Sequence, residues 1–339
     1  MNSRPPTSIA STSGTPAAAT APSATARTGT RAAGVRLPYD ALPHVVRGWV
    51  ERELGSSVVS AVSQSGGFSP GPAARLVTAG GRRAFVKAVG SALNPDSPRI
   101  LRAEVAAMRA LPELPWLPRV YATYDDGDWI ALLLEDVDGR EPPHPWVDED
   151  VDLVLGALAE LTSALTPTPW PDAPRLEDNS TFSGGWATLS KAPPDDLDPW
   201  ALAHLDRLAT SGERARLLVS GESLVHWDIR ADNLLITDAG RVVFVDWAWA
   251  AKGAGWVDTA ITCLDLVTSG TTVDVDALLA RHPLTGDVDP DDVTTLVEAV
   301  TGMLTERSRQ PAPPGLPTLR TYQRTTADAL LAWLRRRRG

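Results

Sequence analysis

An α+β protein of two lobes is expected, with a small antiparallel β lobe ahead of a larger, mainly helical one. Valine-rich runs of strand length crowd into residues 56–135, and apolar residues recur at helical spacing through most of the chain after Asp136. The main interruption in that helical half is a pair of short β-like runs between residues 233 and 245. A length of 339 residues suits one large domain or two lobes.

Residues 1–37 are rich in Ala, Ser, Thr, Gly and Pro, and before Val35 the large apolar residues are Met1 and Ile9 alone. Such a segment cannot bury enough surface to offset its ordering entropy, so a disordered tail is expected. Arg4, Arg27, Arg31 and Arg36 with no acid before Asp40 match one trait of a transit peptide. The apolar stripe of a transit peptide and the hydrophobic run of a secretory signal are both missing.

The first lobe should occupy residues 38–136. Residues 39–54 read as a short helix with Leu42, Val45, Val46, Trp49 and Val50 on one side. Strands follow at 56–64, 73–79 and 82–89, the last two joined at Gly80-Gly81, a strong hairpin signal. A helix over 96–111 places Leu101, Val105, Met108 and Leu111 at helical spacing. Two further strands, 118–125 and 129–135, flank the acidic turn Asp125-Asp126-Gly127-Asp128.

The second lobe should run over 137–339. Helices are expected at 148–166, 198–210, 212–219, 255–268, 273–281, 290–307 and 318–337, with proline-rich breaks at 167–174, 192–199 and 311–317. The β-like runs Asn233–Thr237 and Arg241–Val245 are split by the turn Asp238-Ala239-Gly240. No repeat of solenoid length is present.

Composition narrows the function. With 43% hydrophobic and 22% charged residues the chain is ordinarily globular. Its longest aliphatic run, Ile130–Leu134, is far too short to span a membrane. The single cysteine, Cys263, excludes intramolecular disulfides and thiolate zinc clusters, and it fits a reducing, cytoplasmic setting. Beside Ile261 and Leu264 it reads as core packing. Residues 1–140 carry a net charge of +3 and residues 141–339 carry −13, which disfavours nucleic acid and attracts cationic small molecules. A solubilising acidic surface accounts for the same numbers. Most of the 12 tryptophans should be packing residues, with one near a cleft available to stack on a substrate ring.

The chemistry concentrates in Leu224-Val-His226-Trp-Asp228-Ile-Arg230-Ala-Asp232-Asn233, followed by Val242-Val-Phe-Val-Asp246-Trp247. An apolar run delivers His226 and Asp228 into a loop, Asn233 opens a hairpin, and Asp246 emerges at its far end. Three oxygen-bearing side chains then converge, one carboxylate for proton transfer and an amide with a second carboxylate for a hard cation such as Mg²⁺. Phosphoryl transfer needs that arrangement, because the protein mainly positions groups and neutralises charge.

The H-x-D-x-x-x-x-N pattern, hairpin and following Asp resemble the kinase-like fold, and within it the aminoglycoside phosphotransferase family. That resemblance covers about residues 40–310 and implies a two-lobed, ATP- and Mg²⁺-dependent enzyme. By it, Asp228 is the catalytic base for an acceptor hydroxyl, Asn233 and Asp246 are the Mg²⁺ ligands, and His226 shapes the loop. It also implies a strand lysine on the nucleotide phosphates held by a helix glutamate. Lys87, the only lysine before residue 191, and Glu104, the only acid between Asp96 and Glu113, stand in the right order. Leu132-Leu-Leu-Glu135-Asp136-Val137 matches the hinge, whose backbone near Glu135 and Val137 would hold adenine. Ser65-Gly66-Gly67-Phe68-Ser69-Pro70-Gly71 lies where a phosphate cover belongs, with Gly66 and Gly67 permitting close approach and Ser69 a donor.

Departures from the pattern are informative. Arg230 stands where many phosphotransferases carry histidine or a small residue, and a cation there suits stabilisation of the transferred phosphate. Trp247-Ala248 replaces Phe-Gly after Asp246, and 12 positions lead on to Asp258, the expected helix-start anchor of the catalytic loop. That leaves little room for a peptide-docking segment, which argues against a protein kinase. Gly67-Phe68-Ser69-Pro70-Gly71 formally matches a hydrolase nucleophile elbow, but Pro70 lacks the N–H its oxyanion hole requires.

The expected activity is transfer of the γ-phosphate of ATP to a hydroxyl of a small molecule, with aminoglycosides, other antibiotics, amino alcohols and sugars as candidate acceptors. Acidic clusters at Asp195, Asp196, Asp198 and at Asp287, Asp289, Asp291, Asp292 mildly favour a cationic acceptor, and surface solvation explains them equally well. The alternative is a nucleotide-binding pseudoenzyme acting as a regulatory scaffold. Neither a nucleic-acid nor a membrane partner is expected, and the oligomeric state is left open.

Overall fold

The computed structural model describes Met1, residues 36–64 and residues 66–339; most of the expected tail lies outside the described residues. The amino-terminal lobe is a five-stranded antiparallel sheet, built from β1 (Val58–Ser63), β2 (Ala73–Thr78), β3 (Arg83–Gly90), β4 (Val120–Asp125) and β5 (Trp129–Leu134). Its order is β1-β2-β3-β5-β4. Two helices clasp it, α1 (His44–Leu54) and α2 (Ser97–Ala110).

Alternation along β3 and β5 decides which face meets which helix. Val86, Ala88, Ala131 and Leu133 pack against Val46, Trp49 and Val50 of α1. Val89, Ile130, Leu132 and Leu134 face the other way and join Leu101, Val105 and Met108 of α2. Lys87 belongs to this second face, opposite Leu132 of β5 and Ala73 of β2. The first helix starts later than the apolar pattern suggests. Leu42 is extended (φ −62°, ψ 147°), because a residue before proline is excluded from the α region. A single 3₁₀ turn, Tyr39–Ala41, precedes it.

The carboxyl-terminal lobe contains α3 (Asp148–Ala164), α4 (Ser180–Ser183), α5 (Gly185–Lys191), α6 (Pro199–Ala203), α7 (Leu205–Leu218), α8 (Val257–Ser269), α9 (Val275–Arg281), α10 (Pro290–Arg307) and α11 (Leu319–Arg338). Two small antiparallel pairs are set among them, β6 (Ser223–Val225) with β9 (Ala251–Gly253), and β7 (Leu234–Ile236) with β8 (Val242–Phe244). The second pair is the expected hairpin. The first was not anticipated, since three-residue strands carry no readable alternation.

Glycine misled the reading between residues 198 and 219. Instead of a break near Gly212, α7 runs continuously to Leu218, and the boundary falls at His204. A Cβ on Gly212 would strike the backbone of Ser183, so this glycine serves close helix approach. The crossing of α5 and α10 works the same way: Gly185 lies on the backbone of Gly302, and Gly302 lies under the ring of Trp186. The Trp186 indole N–H donates to Glu298 O at 2.7 Å, which fixes the ring. Gly302→Val is therefore expected to destabilise the fold by about 1–3 kcal/mol through overpacking, read as a lower urea midpoint with an unchanged slope.

Among the described residues no helix is long and apolar enough to cross a membrane. Cys263 is buried in the core, as expected.

Candidate active site

The loop that carries Asp228 is held from below by one carboxylate. Asp258, in the first turn of α8, accepts the N–H of His226 at 2.6 Å and of Trp227 at 2.8 Å. Burial pushes its acid up to about 6, while those two N–H groups pull the other way. Trp227 is thereby kept at φ 66°, a left-handed conformation rare for a bulky side chain and costly unless the surroundings impose it. Asp246 has the same hand, at φ 68°. The two distorted residues bracket the site.

His226 is fully buried and lines no part of the cleft. Its Nε2–H donates to Val245 O (2.9 Å), and its Nδ1 accepts the N–H of Asp228 (3.3 Å). Burial holds the imidazole down at about 4, so it is neutral and its contacts are those of a loop-shaping residue.

Asp228 is gripped from two sides. Arg230 Nη1 donates to its Oδ1 at 2.6 Å, and Asn233 Nδ2 donates to its Oδ2 at 3.1 Å and to its carbonyl at 2.8 Å. Burial pushes the Asp228 acid up to about 7; Arg230 opposes that shift, and Asp246 adds to it. Arg230 also donates to both oxygens of Asp232, at 3.0 and 3.2 Å. Its guanidinium is thus wedged between two carboxylates, 6.0 Å from the ring of Tyr322.

Lys87 Nζ contacts both carboxylate oxygens of Glu104, at 2.7 and 3.0 Å, and Asp246 at 3.4 Å. Burial works against its charge, yet Asp246 and Glu104 raise it above the ordinary lysine range, so the ammonium stays protonated. The same lysine holds Asp246 low against the effect of burial. Val245 N–H donates to Asn233 O at 3.0 Å, which brings the loop and the Asp246 strand together. With Nδ2 spent on Asp228, the amide oxygen of Asn233 is its group suited to a cation. An amide oxygen and a carboxylate form the hard-donor set that Mg²⁺ accepts when phosphates and water fill its other positions. Among the described residues no group of three or more His, Cys, Asp or Glu is placed to hold a metal.

Lys87, Glu104, Ser69, Asp228, Arg230 and Asp246 line one cavity of about 380 Å³ between the lobes. The family model for the phosphotransferase enzyme family matches residues 66–291, which contain all six. The chain belongs to that family.

Solved structures agree on the fold. A thermostable mutant of aminoglycoside phosphotransferase APH(4)-Ia, in ternary complex with ADP and hygromycin B, superposes with a TM-score of 0.58 at 17% identity, covering 86% of this chain and 98% of that one. Choline kinase LicA from Streptococcus pneumoniae gives 0.59 at 12% identity, covering 85% and 98%, and LicA in complex with AMP gives 0.58 at 12%, covering 86% and 100%. The fold is kinase-like. Among curated proteins none matches the chain.

In this phosphotransferase the remaining expected residues lie around the cavity without lining it. Gly67 (φ 80°) turns the loop between β1 and β2, and Gly66 brings it within reach of Asp232 in the other lobe. At the hinge, Glu135 N–H is donated to Arg119 O at 2.8 Å, and its carboxylate faces Arg119 and Arg241 at 3.5 and 3.6 Å. Val137 is buried.

Arg36 was missed. The sequence placed it in the tail, but Leu37 N–H donates to Pro70 O (2.9 Å), and the Arg36 guanidinium donates to the carbonyls of Gly66 and Gly71, the latter at 3.3 Å. It lines the cavity and interacts with Asp246 and Asp232. No local pattern announces an arginine that acts across 30 residues of sequence.

Removing Arg230 should move a pH profile. A protonated Asp228 cannot accept a proton, so kcat/KM should fall as pH descends through about 7. Arg230 lowers that pKa, so Arg230→Ala is expected to shift the acid limb to higher pH. A limb that stays in place would mean the guanidinium does not govern the base.

Proposed function

We propose that the protein transfers the γ-phosphate of ATP to a hydroxyl group of a small molecule. What supports this reading most is the placement of Asp228, half-buried and doubly held, in one cavity with Lys87 and Asp246. The acceptor oxygen attacks the γ-phosphorus as its proton passes to Asp228. The bond from phosphorus to the β–γ bridging oxygen breaks, and ADP leaves.

Lys87, kept in place by Glu104, would contact the α- and β-phosphates, and Ser69 and the Gly66-Gly67 backbone would cover them. Asp246 and Asn233 would hold Mg²⁺, which supplies charge neutralisation at the phosphates. The Glu135 carbonyl and Val137 N–H would meet adenine. Arg230 would orient Asp228 and offset negative charge near the transferred group. With Cys263 buried and no second cysteine, we infer work in a reducing, cytoplasmic setting.

The test is incubation of the full chain with ATP, Mg²⁺ and a panel of antibiotics, amino alcohols and sugars, scored by mass for phosphate addition. Asp246→Ala is expected to weaken Mg²⁺-dependent ATP binding by calorimetry. Unchanged affinity in that variant, with no phosphorylated product in the panel, would favour a pseudoenzyme instead.

A further inference from the structure

The cavity continues past Asp228 into the helical lobe, and its walls change character there. Phe182 of α4, Trp227, Trp249, Leu264 of α8, and Met303 and Leu304 of α10 form them, and α11 adds Tyr322. Phe182 and Trp227 meet edge to face with ring centroids 5.1 Å apart, and Trp249 is 41% exposed at the rim. Sites of this kind bind ligands through apolar and aromatic contact, with a few polar groups setting orientation.

Charge accounting points the same way. Four carboxylates line the cavity, Glu104, Asp228, Asp246 and Asp265, and four cations, Arg36, Lys87, Arg230 and Arg307, oppose them. Glu104 is committed to Lys87, and Asp228 to Arg230. Asp265 accepts the Trp146 indole N–H at 2.9 Å and the Ala231 N–H at 3.1 Å, a structural bridge. Asp246 faces Lys87. Among the described residues that line the cavity no acid is left over to receive an ammonium group, whereas Arg307 stands in the wall and repels one.

Five of the seven acids in the clusters that made a cationic acceptor attractive are answered within the fold. Asp196 pairs with Arg309 at 2.6 Å and Arg324 at 3.4 Å, and Asp198 pairs with Arg335 at 2.6 Å. Asp291 and Asp292 meet Arg214 at 2.8 and 3.1 Å, and Asp291 also meets Arg338. Asp289 caps α10 through the N–H of Asp291 at 2.8 Å. None of them lines the cavity.

We propose that the acceptor is an uncharged alcohol on a largely apolar or aromatic ring framework, seated between Trp249, Trp227, Phe182 and the α10 wall with its hydroxyl at Asp228. This rests on the phosphotransfer reading and narrows its substrate. The occupant buries apolar surface against aromatic side chains, and specificity over polycations comes from the missing carboxylates.

The experiment compares two neutral alcohols, chloramphenicol and 17β-estradiol, with two cationic ones, kanamycin A and choline. Each is titrated against tryptophan fluorescence of the Mg·ATP-loaded full chain and assayed by mass for phosphate gain. At least one neutral compound should bind and be phosphorylated with a kcat/KM at least about 100-fold above both cations, a margin of about 2.7 kcal/mol. Trp249→Ala, at a half-open position that tolerates truncation, should raise its KM about tenfold with little change in kcat. Phosphorylation of kanamycin A or choline at higher efficiency would overturn the inference and leave phosphotransfer standing. Binding of a neutral compound without phosphate gain by any of the four would uphold the inference and count against the transfer reaction. Failure of both neutral compounds to bind would overturn it outright.

Discussion

Asp228→Asn is expected to separate binding from chemistry, with turnover reduced about 10²–10⁴-fold. The amide is nearly isosteric; its single oxygen can still accept from Arg230, and Asn233 loses its contact with the second carboxylate oxygen but keeps its bond to the residue 228 carbonyl. The amide cannot take the hydroxyl proton. Lys87 and Asp246 are untouched, so Mg·ATP affinity by calorimetry should change little. The acid limb expected near pH 7 from the Asp228 carboxyl should be absent from the residual activity. Near-normal turnover would remove Asp228 from the mechanism, and loss of nucleotide binding would give it a structural role.

The second large effect concerns the ion pair of Lys87 and Glu104. Lys87→Met leaves Glu104, whose side chain is 3% exposed, buried without its cation and near Asp246. Breaking a buried pair from one side costs about 3–5 kcal/mol, whereas replacing both members by apolar residues is often neutral. Lys87→Met should therefore lose stability and Mg·ATP affinity together. The double variant Lys87→Met with Glu104→Met should regain most of the stability and none of the affinity. Urea unfolding read beside calorimetry checks both halves. Equal losses of stability in the single and double variants would contradict the pair as an isolated unit.

The side of the cavity around Lys87, Asp228 and Asp246 was legible because its residues sit at fixed offsets on elements with clear periodicity. Lys87 lies on an alternating strand, Glu104 on a helix with regular apolar spacing, and Asp258 a short step beyond Asp246. The acceptor half was opaque. Its walls come from Phe182, Trp249, Met303 and Tyr322, brought together by tertiary packing with no shared pattern in the chain. Met303 and Tyr322 also lie beyond the 66–291 span that identifies the family. The segment holding Phe182 gave no helical signal, since α4 and α5 are short and meet at Gly184-Gly185. Charge patterning misdirected the reading for a related reason. Clusters of Asp stand out in a sequence, but the arginines that neutralise them arrive from distant parts of the chain, more than 100 residues away for Arg309 and Arg335.

Phe68, in the loop between β1 and β2, stacks edge-on against Tyr322 of α11 with centroids 5.2 Å apart. Nearby, Asn94 Nδ2 donates to Pro314 O at 2.9 Å. The end of the chain is therefore tied to a loop of the opposite lobe at the mouth of the cleft. On the reaction proposed above, opening that loop to exchange nucleotide would separate Phe68 from Tyr322, which also lines the cavity. An acceptor that steadied Tyr322 would oppose that opening, and by thermodynamic reciprocity a nucleotide that seated the loop would bear part of the ordering cost of the acceptor. Positive cooperativity between two chemically unrelated substrates would then rest on one aromatic contact.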